Sequence, residues 1–206
     1  MRFRRRAGNP VTKASEDDGR IRCGWIDQSR LAPADFILYR DYHDTEWGQP
    51  LRDSKALFER VTLEAFQSGL SWLIILRKRE NFRRAFHRFD IGKVARYTDR
   101  DIDRLMEDAG IVRNRAKIEA TIANARAVAD LDVDLGELLW SFAPEPRPRP
   151  AALSDVPAVT AESKAMAKEL KRRGFTFVGP TTAYALMQAT GMVDDHVASC
   201  WVPATA

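Results

Sequence analysis

From about residue 53 almost to the end of the chain, apolar residues recur at helical spacing, and no segment shows the alternation of a half-buried strand. Asp53 and Ser54 open a helix whose apolar positions include Leu57, Phe58, Val61 and Ala65. Gly69 interrupts it, and the pattern resumes over 72–79. Short helices are expected around 80–88 and 91–97, and Asp99 or Asp101 is placed to cap another that ends at Gly110. A long helix over 113–131 carries Ile118, Ile122 and Ala125 on one face, with a short segment over 134–142 behind it. Five of the ten prolines fall in 143–157, which predicts a stiff surface loop. Beyond it, 162–173 is amphipathic and stops at Gly174, and a tight turn at Val178-Gly179-Pro180 opens a helix over 181–190. Residues 194–200 complete the helical pattern. Residues 21–50 read instead as a loop rich in aromatics, and 1–20 as a flexible basic arm. The expected fold is all-α, one domain over 21–206.

Composition narrows the class without naming a chemistry. A chain of 206 residues, 45% hydrophobic and 30% charged, has ample apolar material for one core and is not disordered. It lacks the roughly 18 consecutive apolar residues of a membrane span and shows no apolar signal segment after its basic start, so a cytoplasmic protein is expected. The net charge of +4 suggests an anionic partner. Setting aside Arg2, Arg4, Arg5 and Arg6 leaves 29 basic against 29 acidic residues, so local patches must carry any case for nucleic acid. With only two cysteines, Cys23 and Cys200, the expectation is free thiols or metal ligands rather than a disulfide.

Four groupings could carry chemistry. His196 and Cys200 are four apart, so a helix would put them on one face. With Cys23 and His43 they make a Cys2His2 set suited to tetrahedral zinc, although Cys200 could equally be a small buried residue and His196 a surface histidine. Glu64 falls in the middle of an apolar stripe: with Leu57 at 0°, Val61 lies near 40° and Glu64 near 340° at ~100° per residue. Either the stripe lines a wet cleft, or an Arg or a helix N-terminus satisfies the charge, or the carboxylate is kept to read or activate a ligand. Tyr42, Trp47 and Trp72 crowd the same neighbourhood; singly they are core candidates, and together they could stack a planar ring such as a nucleobase. Finally, Val178, Gly179, Thr181 and Thr182 form a turn and helix N-terminus suited to a phosphate, with Lys171, Arg172 and Arg173 beside it. Arg113, Arg115 and Lys117 read as a solvated face.

These residues sit in runs that resemble the bacterial 3-methyladenine DNA glycosylase I family. The runs are Arg22-Cys23-Gly24-Trp25, Tyr42-His43-Asp44-Thr45-Glu46-Trp47-Gly48, and Leu63-Glu64-Ala65-Phe66-Gln67-Ser68-Gly69-Leu70-Ser71-Trp72. Lys78-Arg79-Glu80-Asn81, Asp108-Ala109-Gly110-Ile111, Leu139-Trp140-Ser141-Phe142, Arg173-Gly174-Phe175 and Val193-Asp194-Asp195-His196 extend the likeness from about residue 22 to 201. The resemblance implies a helix-hairpin-helix glycosylase fold with one structural zinc ion joining the N- and C-terminal segments, 21–50 and 191–201, through Cys23, His43, His196 and Cys200. It implies that Glu64 hydrogen-bonds the excised adenine, that Tyr42 and Trp72 stack on it, and that Trp47 lines the pocket. Leu70 would wedge into the duplex, and the turn bearing Val178, Gly179, Thr181 and Thr182 would hold its phosphates.

The implied activity is hydrolysis of the N-glycosidic bond of 3-methyladenine in double-stranded DNA, by a monomer associated with the nucleoid. Thr181 stands where lyase members of the wider superfamily carry a lysine, so strand cleavage is not expected. The interval from Cys23 to His43 is longer than the family pattern, and Asp194 stands where its members tend to have Asn. Asp194 therefore reads either as a stabiliser of positive charge on the sugar or as the cap of a helix carrying His196. Two alternatives stay open: a zinc-stabilised DNA-binding module without catalysis, and a broader alkylpurine glycosylase that uses Asp194.

Overall fold

A computed structural model describes residues 18–204. Among the described residues there are nine α-helices, three short 3-10 turns and no strand, so the all-α expectation holds. The helices are α1 Pro33–Thr45, α2 Ser54–Gln67, α3 Trp72–Ala85, α4 Ile91–Ala95, α5 Asp99–Glu107, α6 Arg115–Ala129, α7 Leu135–Trp140, α8 Ala161–Arg172 and α9 Pro180–Ala189. The basic arm lies outside the described residues except for its last three, 18–20, where Arg20 lies 3.8 Å over the Trp201 ring.

α2 is the spine, because its sequence buries residues all the way round. Nine of its positions are buried, from Leu57 to Phe66, and it packs against α3, α6, α7 and α9. Asp53 caps it by accepting from Ala56 N at 2.8 Å. At its other end Lys117 of α6 donates from Nζ to Phe66 O at 2.8 Å and Ser68 O at 2.5 Å, supplying the last carbonyls with a cation. Lys117 is thus a buried cap and not the solvated residue its sequence neighbourhood implied.

Three local expectations need correction. The segment over 21–50 is not all loop, since α1 occupies Pro33–Thr45; its N-cap is Ala32, which has no side-chain acceptor, and its start signals are Pro33 and the acidic Asp35 in the first turn. α3 runs unbroken to Ala85, where a separate helix was expected to begin near residue 80. Residues 194–200 form turns, not a helix. Their backbone donors serve distant partners: Ala198 N bonds Pro150 O at 2.9 Å and Trp201 N bonds Ile21 O at 2.8 Å. The first bond ties the C-terminal segment to the proline-rich loop, and the second ties it to the N-terminal segment. Gly191 permits the close approach, because its φ is +71° and a Cβ there would lie 2.7 Å from Gly48 O.

Candidate active site and metal centre

A cavity of about 330 Å³ opens where α1, α2, α9 and the start of α3 converge. α1 contributes Tyr39 and Tyr42, α2 contributes Glu64 and Gln67, and Trp72 begins α3. Trp25 and Trp47 form the side nearest the chain's N-terminal segment, with Leu153 and Val156 of the proline-rich loop at the margin. The three aromatics and Glu64 singled out from the sequence are therefore brought together. Tyr42 and Trp72 lie with ring centroids 5.3 Å apart and planes at 41°. Trp72 Nε1 is buried without a hydrogen-bond partner.

Glu64 is the chemical centre of the cavity. It is 5% exposed, and burial pushes its carboxyl up to about 7, against the pull of the nearby Arg60 guanidinium. Burial raises the Tyr42 and Tyr39 hydroxyls as well, leaving both neutral. A second carboxylate, Asp195, shares the cavity and was missed by sequence reading, which looked one residue earlier. Asp195 accepts from Tyr184 Oη at 2.6 Å, Gln188 Nε2 at 2.9 Å and Arg147 Nη2 at 2.8 Å.

Asp194 lies elsewhere. Its carboxylate pairs with Arg149 Nε at 2.8 Å, and it lines a separate cavity beneath the proline-rich loop. It does accept from His196 N at 3.3 Å, but no helix follows for it to cap.

Cys23, His43, His196 and Cys200 are all buried, and their ligand atoms lie within 4.8 Å of one another. Cys23 Sγ and Cys200 Sγ each lie 3.5 Å from His196 Nδ1, and Cys200 Sγ lies 3.6 Å from His43 Nε2. A tetrahedron with metal–sulfur bonds of ~2.3 Å and metal–nitrogen bonds of ~2.0 Å has sulfur–nitrogen edges of about 3.5 Å, so the donors fit a small divalent cation. The outward ring nitrogens are engaged: His43 Nδ1 meets Asp44 Oδ1 at 2.8 Å, and His196 Nε2 meets Trp47 O at 3.2 Å. Burial pushes the Cys23 thiol up to about 12 and His196 down to about 4, so without a cation the cluster resists both thiolate and imidazolium. The structure brings together the four residues grouped from the sequence, although the segment from His196 to Cys200 is not the helix expected.

Cluster and cavity share a wall. Tyr42 and His43 are adjacent on the last turn of α1, one in the cavity wall and the other in the cluster. Trp47 packs edge-on against His196 at 4.7 Å, and Trp25 against His43 at 5.0 Å.

The nominated DNA-facing residues divide. Leu70 is 38% exposed on the turn between α2 and α3, where Gly69 has φ +81°, and its N bonds Gln67 O at the cavity margin. Gly179 and Thr181 are exposed and Thr182 is partly so, at the start of α9, where no side chain caps the helix. Val178 is different: its side chain is buried, so only its backbone faces outward. Buried Asn124 of α6 fixes this turn, accepting from Thr176 N at 2.8 Å and donating to Thr176 O at 3.1 Å.

A sequence profile of the family described as methyladenine glycosylase matches residues 34–203. DNA-3-methyladenine glycosylase 1 of Escherichia coli (strain K12) is 48% identical over 184 residues, spanning 87% of this chain and 95% of that protein. A crystal structure of 3-methyladenine DNA glycosylase I matches with a TM-score of 0.82 at 44% identity, over 88% of this chain and 98% of that one. Another, of a tyrosine-to-phenylalanine variant of 3-methyladenine DNA glycosylase I in complex with 3-methyladenine, matches with a TM-score of 0.80 at 37% identity, over 88% and 97%.

Proposed function

The chain belongs to the methyladenine glycosylase family, and from that premise we propose that its cavity receives 3-methyladenine flipped from alkylated double-stranded DNA and that the enzyme hydrolyses the bond to the sugar. The observation that carries the proposal is the buried carboxylate of Glu64 on the wall of an aromatic cavity. Methylation at N3 makes the base in DNA a cation, already a good leaving group, so no strong acid is needed. Tyr42 and Trp72 hold the ring by stacking, with a cation–π contribution. The Glu64 carboxylate accepts from the exocyclic amine and favours the cationic base over neutral adenine, whose extrusion costs the same few kcal/mol without that return.

The electrons of the glycosidic bond pass to the departing base, which becomes neutral. Water adds its oxygen to the anomeric carbon and gives up a proton. The described residues lining the cavity include no lysine, so they offer no amine to the sugar and the strand is expected to stay whole. Leu70, beside the cavity, fills the space the nucleotide leaves. The free amides at the start of α9, of Thr181 and Thr182, hold backbone phosphate, with Gly179 giving access. Asp194, committed to Arg149 away from the cavity, has no part in this chemistry, so a broader alkylpurine activity through it is not adopted.

Cys23, His43, His196 and Cys200 would hold one zinc ion, which, with all four donors from the protein, would supply structure and not a reagent. The protein acts as a monomer on DNA in the cytoplasm. Free 3-methyladenine should quench the fluorescence of the tryptophans around the cavity in a saturable way. Unmethylated adenine should do so at least tenfold less tightly, and equal affinity for the two bases would contradict recognition of the methylated ring.

A further inference from the structure

Arg60 has no place in the chemistry above, yet it is 3% exposed, one helical turn before Glu64 on α2. Its Nη1 donates to Tyr42 Oη at 2.9 Å and its Nη2 to Glu46 Oε2 at 3.1 Å. The guanidinium carbon lies 5.3 Å from the Tyr42 ring centroid and 5.4 Å from that of Trp72, so it backs the two rings that frame the cavity. Glu46 is held in turn by Arg79 Nη1 at 2.7 Å, and Arg79 Nε reaches Glu59 at 2.8 Å. A chain of alternating charges therefore runs from the surface and ends in Arg60 behind the cavity. Burying a guanidinium costs several kcal/mol before partners offset it, and an apolar side chain would fill this place without that cost.

We propose that Arg60 is a positioning residue of the base pocket, one that fixes the Tyr42 ring and hydroxyl and holds Glu64 as an anion toward the base. The assignment rests on the glycosylase reading for its consequence in catalysis, though not for its electrostatics. An arginine has no acceptor, so Tyr42 Oη must be the acceptor of their hydrogen bond, and its own proton is left to donate elsewhere. The same cation opposes the burial that pushes the Glu64 carboxyl up. Around Glu64, α1 presents Tyr39 and Tyr42, α3 presents uncharged Trp72, α9 presents uncharged Gln188, and the segment beyond α9 presents Asp195, itself paired with Arg147. Among these described groups none is a cation free to replace Arg60. A protonated Glu64 would lose its attraction for a cationic base.

The test is a carboxyl carbon NMR titration of Glu64 in the DNA-free protein, its R60M variant and its R60K variant, alongside the pH dependence of base release. In R60M the Glu64 midpoint should rise by about one unit or more, with release at pH 7 falling roughly tenfold and the acid limb moving by the same interval. R60K keeps the charge and should hold the midpoint near the parent's, while release still falls because the bond to Tyr42 is weakened. If R60M does not fold, R60Q, neutral but still a donor, gives the same comparison. An unmoved midpoint in the neutral variant, or equal losses in R60M and R60K with unchanged pH profiles, would overturn the assignment and leave Arg60 a packing residue. A raised midpoint in R60M with no release by the parent protein would uphold the electrostatic role while removing the glycosylase reading.

Discussion

Replacing Glu64 with Gln should lower base release by about 10²–10³-fold, leave binding to undamaged duplex nearly unchanged, and make the protein more stable at pH 8. The first effect follows from the cavity: Gln fills the same volume but carries no charge to meet a cationic base. The second follows from position, since Leu70 and the start of α9 lie outside the cavity lining. The third follows from linkage. The Glu64 carboxyl is pushed up to about 7 from an ordinary 4.5, so the folded state binds its proton more tightly than the unfolded chain. Its contribution to stability is fully present below the unfolded value and is lost as pH rises through the folded one. The loss above pH 7 is up to about 3 kcal/mol. E64Q has no such loss, so its advantage in denaturant melts at pH 8 should shrink towards pH 5. A variant that lost activity by losing stability would show the opposite pattern.

Removing the metal should be more damaging to the fold and equally damaging to recognition. Cys23 and Cys200 lie in a small cluster with Val197 and Val202, apart from the main core, so little apolar burial holds the chain's two ends together without the ion. Substituting Cys200 with Ser, or stripping the protein with a chelator, should cost about 5 kcal/mol or more, roughly 10–20 °C in Tm. Because Trp47 leans on His196 and Trp25 on His43, affinity for free 3-methyladenine should fall as well. Elemental analysis of native protein should find one zinc per chain, and re-addition of zinc to stripped protein should restore both properties. Metal-free protein that melts and binds base like the parent would remove the ion from the account.

Where the sequence signals were strong, they were local. α2 was legible because Asp53 caps it and its apolar residues repeat at 3.6, and Glu64 stood out as an interruption of that repeat. The four candidate metal ligands were legible as residue types, and the family resemblance supplied the link across more than 150 residues that spacing could not. α1 was hidden because Ala32 offers no capping side chain and because its aromatics at 36, 39 and 42 are scattered among charges. The turns over 194–200 were misread as helix because the segment is held by distant partners, Ala198 N by Pro150 O and the following Trp201 N by Ile21 O. Periodicity cannot report such partners. The same limit applied to charge: Arg60 and Lys117 look like surface residues, and only the fold shows that one ends an ion-pair chain and the other caps α2. Asp194 drew attention over Asp195 because it stands where the family tends to have Asn. Their separation into different cavities depends on Arg149, Tyr184 and Gln188, none of them adjacent.

The most direct measurement is to incubate the zinc-replete protein with methylated duplex DNA and identify the released bases by chromatography while following the strands by electrophoresis. Release of 3-methyladenine is expected, with 7-methylguanine retained and the strands unbroken. Folded protein that binds the duplex and releases no base would contradict it, and would leave a DNA-binding module with an unused cavity.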